Sequence, residues 1–184
     1  RRYPDGVVRV GEPVGLEFDV QAVALELERR RRFPILVFEN VRGQTMPVVA
    51  NVMASRRLFA FALGVDEMQL PAEYARRLTQ YVKPEVVHEP PFRHTILRGA
   101  DVDLGRLPIP TYFPGDGGPY ITAGMTVAKD PDTGVETEGY HRYQVKGPDR
   151  MGVSLHSRRR MFEYQRRAEA KGQPLPCAVV LGLH

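Results

Sequence analysis

The spacing of apolar residues changes twice along the first part of the chain. Residues 6–14 and the apolar runs at 33–41 and 47–53 are short and rich in β-branched residues, which is typical of strands. Between the first two runs, apolar residues recur at helical spacing, and Asp19 precedes them as a candidate cap. This pattern predicts a helix from Asp19 to about residue 31, with one buried face made of Val20, Val23, Ala24 and Leu27.

Two shorter helices and a long connection are predicted next. Ser55 is a typical N-cap residue and Gly64 a typical helix terminator, so the stretch between them predicts a short helix. Pro71 fits the first turn of another helix, which reaches about residue 82 before Pro84 ends it. Residues 84–119 are rich in Pro and Gly and predict an extended linker between two structural units.

From residue 120 onward the pattern is that of antiparallel strands. A strand at 120–129 leads into Asp-Pro-Asp-Thr-Gly at 130–134, where Pro presets φ and Gly accepts a positive φ, so a hairpin turn is expected. We expect the hairpin's second strand at about 139–145. A third strand at 151–155, a helix at about 158–171 and an apolar last strand at 176–183 complete the prediction.

These elements predict a mixed α/β (α+β) fold in two parts. Residues 1–106 form an N-terminal α/β domain with its linker, and residues 107–184 lead into an antiparallel sheet or barrel. The chain lacks an initiator Met and ends directly after an apolar run. We therefore expect it to be a fragment of a longer protein.

Composition narrows the class of protein. The chain has 184 residues, of which 42% are hydrophobic and 26% charged, and no run is apolar enough to span a membrane. Cys177 is the single cysteine, which is typical of a reducing, cytoplasmic compartment. Because Cys177 lies within an apolar run, we expect it to be buried as a small hydrophobic side chain.

The basic residues allow two interpretations. The net charge is +4, and arginines occur in short runs at 29–32, 56–57, 76–77 and 158–160. Several of them stand beside Glu on predicted helices, which indicates solvated helix faces. Binding to nucleic acid is the alternative, but no nucleic-acid-binding motif accompanies the runs, so nucleic acid is not an expected partner.

Three features could carry chemistry. Gly115-Asp116-Gly117-Gly118 lacks the Lys and Ser/Thr of a phosphate loop, and it is either a flexible connection or a close approach to an anion or planar ring. Arg142 lies within a strand that we expect to be half-buried, where it either binds a carboxylate or phosphate, forms a structural ion pair, or faces outward from an edge strand. His156 ends the third strand as a metal ligand, a helix cap or a solvated side chain.

The order of the motifs resembles the N-terminal portion of the UbiD-type decarboxylases. The resemblance covers nearly the whole chain, and an Arg-bearing strand lies between the second and third of its motifs. Those motifs are FPILVFENVRGQTMPVVANVMASRRLFAFALG, DVDLGRLPIPTYFPGDGGPYITAGMTVAKDPDTG and AEAKGQPLPCAVVLG.

This resemblance implies a function and a fold. The function is non-oxidative, reversible decarboxylation of an aromatic, heteroaromatic or α,β-unsaturated carboxylic acid. The cofactor is prenylated FMN supplied by a prenyltransferase, with a divalent metal such as Mn²⁺ and a K⁺ ion on its phosphate. The fold is an N-terminal α/β unit followed by the start of a split β-barrel that binds the flavin, in a protein that forms homo-oligomers.

The resemblance also implies roles for individual residues. Thr122, Ala123, Gly124 and Met125 would line the cofactor. Arg142 would lie in the active site beside the cofactor and the substrate carboxylate, paired with a catalytic Glu located beyond residue 184.

The metal ligands depart from the family pattern. The family has Asn five residues before this Arg, where Thr137 stands here, and Glu136 and Glu138 are alternative ligands. His156 is the candidate for the histidine ligand. Two further functions therefore stay open: a non-catalytic assembly subunit of the same fold, and a flavin-binding redox protein.

Overall fold

The computed structural model describes residues 6–156 and 159–182. The chain forms two compact units. The first extends to Val102 and includes Arg106–Pro108, and the second comprises Asp103–Gly105 and the chain from Ile109 onward. The mixed α/β fold class is confirmed, whereas the domain limits 1–106 and 107–184 stay a prediction.

The first unit contains a three-stranded sheet with a parallel and an antiparallel pair. Its strands are β1 (Val7–Val10), β2 (Ile35–Phe38) and β3 (Val48–Ala50), with β2 in the centre. The pair β1–β2 is parallel and β2–β3 is antiparallel. A parallel pair requires a crossover connection, which the helix α1 (Asp19–Arg29) provides.

The core of the first unit is apolar throughout. Leu36 and Phe38 stand at alternate positions of β2 and are fully buried. Val20 and Ala24 of α1 are buried against them, and Val23 and Leu27 pack beside these residues as partly buried side chains. The predicted buried face of the first helix is therefore confirmed.

The ends of the helices differ in how well the sequence predicted them. Ser55 caps α2 (Arg56–Leu63), since its Oγ accepts a hydrogen bond from the Leu58 amide at 3.2 Å, as predicted. Asp19 does not cap α1: Phe18 occupies the N-cap position, and the Asp19 carboxylate instead accepts from the Gly15 amide at 2.7 Å.

The remainder of the first unit is more exposed. The helix α3 (Leu70–Leu78) has Pro71 in its first turn but ends before residue 82, where we expected its end. The linker that follows contains three short 3₁₀ turns, at Pro91–His94, Gly99–Asp101 and Leu104–Arg106. No helix in the described part of the chain is long and apolar enough to cross a membrane.

The second unit is an antiparallel sheet with one helix. The sheet has the order β6-β5-β4-β7 and is open over the described residues. Met161, Tyr164 and Ala168 of the helix are buried. The elements are β4 (Tyr120–Lys129), β5 (Glu136–Gly147), β6 (Arg150–Val153), α4 (Arg160–Ala170) and β7 (Cys177–Val180).

Ion pairs hold the β4–β5 turn against α4. Gly134 adopts φ 72°, as the predicted hairpin turn requires, and the buried Asp130 carboxylate accepts from the Asp132 amide. Arg167 of α4 donates to Asp130 at 2.5 Å, and Lys171 pairs with Asp132. Since α4 also leads the chain into β7, these contacts connect the β4–β5 turn to the segment that precedes β7.

Cys177 is exposed, so the prediction of burial is wrong. The apolar run that contains it forms β7, which pairs only with β4 among the described strands. One edge of β7 therefore stays open, and Ala178 is exposed as well. Apolar composition predicted a strand but gave no information on what covers it.

Three helices pair their arginines in the same way. In each, one Glu bonds the guanidinium groups three and four residues later, which is the helical spacing that favours ion pairs. For the arginine runs that start at residues 29 and 76, this supports solvated helix faces over nucleic-acid binding. The groups are Glu26 with Arg29 and Arg30, Glu73 with Arg76 and Arg77, and Glu163 with Arg166 and Arg167.

Candidate active site

A β-bulge lies in the pairing of the two central strands of the second unit. Ile121 pairs with Tyr143, and the next pair joins Gly124 to His141. Thr122 and Ala123 therefore both stand opposite the single residue between these partners, Arg142. A bulge of this kind bends its strand and redirects side chains, and it occurs often beside active sites.

An open cleft of about 870 Å³ lies against this part of the sheet, within the second unit. Successive side chains of a strand alternate between faces, so Tyr140, Arg142, Gln144 and Lys146 of β5 share the face towards the cleft. Its lining is completed by Tyr112, Phe113, Asp116, Tyr120, Thr122, His141, Gly152, Val153, Ser154, His156 and Arg159.

The Gly-rich segment forms a wall of the cleft. Tyr112 Oη lies 2.9 Å from Thr122 Oγ1, and Gln144 Nε2 donates to the Gly117 carbonyl at 2.6 Å. A Cβ atom on Gly117 would lie 2.7 Å from the same Gln144 nitrogen, so glycine permits this close approach. Asp116 accepts from the Phe113 amide at 2.9 Å. These hydrogen bonds indicate that the Gly-rich segment is an ordered wall of the cleft and not a flexible connection.

Arg142 is exposed to the cleft rather than half-buried as we expected. It lies on β5, an internal strand, so it does not face outward from a sheet edge. Within residues 6–156 and 159–182 it makes no ion pair, which leaves its guanidinium free for an anion. The expected half-burial is wrong because no further element covers this face in the described chain.

The cleft carries more basic than acidic groups. Lys146, His156 and Arg159 line it together with Arg142, while Asp116 is its one acidic residue among those described. An arginine side chain binds carboxylate and phosphate groups through two parallel hydrogen bonds. The arrangement therefore suits a ligand with a carboxylate, a phosphate or both.

The candidate site residues are only partly brought together. Thr122, Arg142 and His156 line the same cleft, whereas Ala123, Gly124 and Met125 lie outside its lining. Ala123 sits in the bulge, and Gly124 faces the opposite, buried side, where a Cβ would lie 3.0 Å from Val179.

Thr137 lies apart from the cleft. It pairs with the buried Ala128, and strand alternation places it on the opposite face of β5 from Arg142. Among the described residues, no three His, Cys, Asp or Glu side chains cluster in a way that could hold a metal ion. The described donors alone do not fit a divalent metal, and of the predicted ligands only His156 lines the cleft.

Several lining residues were not singled out from the sequence. Tyr140, Gln144 and Lys146 share the two-residue period of Arg142, so strand alternation alone could have identified them. Tyr112 and Arg159 come from loop and helix-flanking positions, and no spacing rule connects them with β5. Their place in the cleft depends on tertiary structure.

A buried polar group lies on the other face of the bulge. Thr126 and Tyr143 are 2% and 5% exposed, and their hydroxyl groups share a hydrogen bond. His141 Nδ1 lies 3.0 Å from both Thr126 Oγ1 and the Gly139 carbonyl oxygen. Burial raises the pKa of Tyr143 above its ordinary value, so the phenol stays protonated.

Two family models match the chain. The model of the 3-octaprenyl-4-hydroxybenzoate carboxy-lyase N-terminal domain matches residues 2–78, and that of the carboxy-lyase Rift-related domain matches residues 85–184. This chain belongs to the UbiD family. The family resemblance of the sequence is therefore confirmed.

The curated relatives that this chain matches are much longer than the chain itself. It is 33% identical over 181 residues to an uncharacterised protein in the cooM 5′ region of Rhodospirillum rubrum, covering 96% of this chain and 38% of the relative. It is 28% identical over 174 residues to anhydromevalonate phosphate decarboxylase of Methanothermobacter thermautotrophicus. That match covers 95% of this chain and 39% of the relative. The chain thus spans less than half the length of these relatives.

A solved structure supports the same assignment. The chain superimposes on an evolved dimeric form of the UbiD-class enzyme HmfF from Pelotomaculum thermopropionicum in complex with prFMN, with a TM-score of 0.89. The two are 35% identical, and the match covers 97% of this chain and 42% of the other. This chain therefore has the fold of the matched part of that UbiD-class enzyme.

Proposed function

We propose that the protein to which this chain belongs is a non-oxidative, reversible decarboxylase that uses prenylated FMN. Its substrate is an aromatic, heteroaromatic or α,β-unsaturated carboxylic acid. The observation that carries the proposal is the position of Arg142. It lies opposite the β-bulge and faces an open cleft, and it makes no ion pair with another described residue. Family membership and the likeness to an enzyme in complex with prFMN support it.

The residues of the cleft fit a flavin. Tyr112, Phe113 and Tyr140 offer flat aromatic surfaces, and Thr122 offers a hydroxyl held by Tyr112. Arg142 and Lys146 add positive charge for a phosphate or carboxylate. When bound, the prenylated flavin accepts the electrons that the departing CO₂ leaves on carbon.

The chain's own residues supply binding and orientation. The guanidinium of Arg142 holds the substrate carboxylate by two parallel hydrogen bonds and so fixes the bond to be broken. The wall that contains Tyr112 and Phe113 covers the cleft from one side and limits the access of water. Ala123, Gly124 and Met125 contribute through the backbone of the bulged strand.

We assign no step to a metal. The described donors do not form a metal site, so Thr137, His156, Mn²⁺ and K⁺ stay predictions of the family resemblance. The same holds for the prenyltransferase, for assembly into a homo-oligomer and for a cytoplasmic location.

The test uses the full-length protein, produced together with a flavin prenyltransferase. We expect mass spectrometry to find prenylated FMN bound to it, and CO₂ release from at least one member of a panel of aryl, heteroaryl and α,β-unsaturated acids. A wild-type protein that binds no modified flavin would overturn the proposal. Flavin binding without CO₂ release would instead favour a redox protein or a non-catalytic assembly subunit.

A further inference from the structure

We propose that Thr126, His141 and Tyr143 form a positioning chain that holds the β4–β5 bulge and thereby directs Arg142 into the cleft. Thr126 and Tyr143 are buried on the face away from the cleft. His141 is half-buried, lines the cleft as well, and lies within hydrogen-bond distance of Thr126. Only the catalytic consequence of the proposal rests on the proposed decarboxylase function. The structural part concerns this chain alone.

The hydrogen bond between Thr126 and Tyr143 crosses the bulge. Thr126 belongs to the pairing on one side of the bulge, opposite Gly139, and Tyr143 belongs to the pairing on the other side, opposite Ile121. Their shared bond therefore connects two segments of the ladder whose register differs by one residue. Backbone pairing is interrupted at the bulge, so this side-chain bond supplies a connection between the strands where the ladder has none.

Two glycines lie beside the rings of this arrangement. A Cβ on Gly124 would lie 3.4 Å from Tyr143 Cδ2, so the tyrosine ring passes directly beside the glycine on its way to Thr126. A Cβ on Gly139 would likewise lie 3.4 Å from His141 Cε1. Each ring therefore packs against the backbone of a strand, and the added Cβ would meet it at the distance of an ordinary van der Waals contact.

Burial makes the hydrogen bonds of this positioning chain costly to remove. A hydroxyl group buried without a partner loses its hydration with no compensation, so Thr126 and Tyr143 favour the geometry that keeps them bonded. His141 Nδ1 lies 3.0 Å from both Thr126 Oγ1 and the Gly139 carbonyl oxygen, so it connects the buried pair to the backbone of β5. The backbone on both sides of Arg142 is therefore held by bonded side chains.

Hydrogen exchange tests the structural part directly. We compare the full-length wild type with Thr126→Val and Tyr143→Phe, which remove hydroxyl groups but little volume. We expect the amides around the bulge, at residues 121–125 and 141–143, to exchange on the order of tenfold faster, while those of the first unit are unchanged. Unchanged exchange around the bulge in both variants would overturn the proposal, whether or not the protein is a decarboxylase.

Two control variants frame this measurement. Thr126→Ser keeps the hydroxyl and should restore slow exchange at the bulge. Ser55→Ala removes a helix cap in the first unit and should accelerate exchange there but not around Arg142. Acceleration around Arg142 by Ser55→Ala would show a global loss of stability and count against a local positioning chain.

A double-mutant cycle tests whether the positioning chain of Thr126, His141 and Tyr143 acts through Arg142. If it does, Tyr143→Phe should lower kcat/KM on the order of tenfold in the wild-type background and have almost no effect when Arg142→Ala is already present. Equal effects in both backgrounds would overturn the positioning role. Absence of activity in the wild type would defeat the proposed function, while the exchange experiment still decides this inference.

Discussion

The two faces of the β4–β5 pair use polar side chains in opposite ways. On the buried face, Thr126 and Tyr143 bond each other and are closed to solvent. On the cleft face, Arg142 is exposed and has no ion pair among the described residues. The difference indicates that polar groups on the first face determine the shape of the sheet, whereas those on the second are available to a ligand.

The largest expected effect concerns the cleft face. If the full-length protein is the proposed decarboxylase, replacing Arg142 with alanine should lower kcat/KM about 100-fold, because two charge-assisted hydrogen bonds to the substrate are lost. The melting temperature should change little, since the side chain is exposed and makes no ion pair with the described residues. Kinetics with the best acid of the panel and a thermal melt measure both quantities.

Arg142→Lys is the matched control for charge. Lysine keeps the charge but not the planar pair of donors, so its activity should lie between those of the wild type and the alanine variant. A large fall in melting temperature in the alanine variant would contradict the assignment of Arg142 to the ligand side of the sheet.

The next effect concerns packing on the buried face. Gly124→Ala places a Cβ 3.0 Å from Val179 Cγ1 and 3.3 Å from Ile121 Cγ2, closer than side chains normally approach. Such overpacking should lower the free energy of unfolding by about 1–3 kcal/mol. Denaturant unfolding of the full-length protein measures the loss.

Gly147→Ala is the matched control on the same sheet. A Cβ at that position meets nothing within 4 Å, so the variant should unfold as the wild type does. Equal losses for the two alanine variants would show that the cost comes from replacing glycine in a strand and not from the contact with Val179.

The smallest effect concerns an ion-pair group on the helix α4. Hydrogen bonds from Arg166 and Arg167 hold the pKa of Glu163 at about 2, below its ordinary value of 4.5. Because the carboxylate is bound more tightly in the folded state, its contribution is present above pH 4.5 and is lost as the pH falls towards 2. The effect should be small and weakened by salt, since these groups are exposed to solvent.

Thermal melts of wild type and Glu163→Gln between pH 7 and pH 2 measure this contribution. The wild type should melt at a slightly higher temperature at pH 7, and the two curves should converge as the pH approaches 2. A difference that persists unchanged at pH 2, or in molar salt, would mean that the ion pairs are not its source.

Local signals explain most of what the sequence could predict. The β4–β5 hairpin was found because Asp-Pro-Asp-Thr-Gly determines a turn by its own backbone preferences. Ser55 and Gly64 delimited α2 for the same reason. Arg142 and His156 were singled out from their positions in the sequence, and the family resemblance added Thr122; the three residues share the cleft.

The incorrect predictions all depended on what surrounds a residue. Cys177 was expected to be buried because its run is apolar, and Arg142 to be half-buried because it lies within a strand. Burial requires a covering element and not only a strand. The bulge could not be read from β4, because it exists only in the pairing with β5. Asp19 could act as a cap or as a partner of Gly15, and only the path of the loop decides between them.

The bulge also reverses the alternation of side chains along β4, so that residues of the same parity point to opposite faces before and after it. Before it, the even-numbered Tyr120 lines the cleft and Ile121 is buried; after it, the even-numbered Thr126 and Ala128 are buried. Without the extra residue, strict alternation would carry Thr126 to the cleft and Met125 to the buried side. One inserted position thus allows a single strand to present a ligand-binding surface at one end and a protein interior at the other.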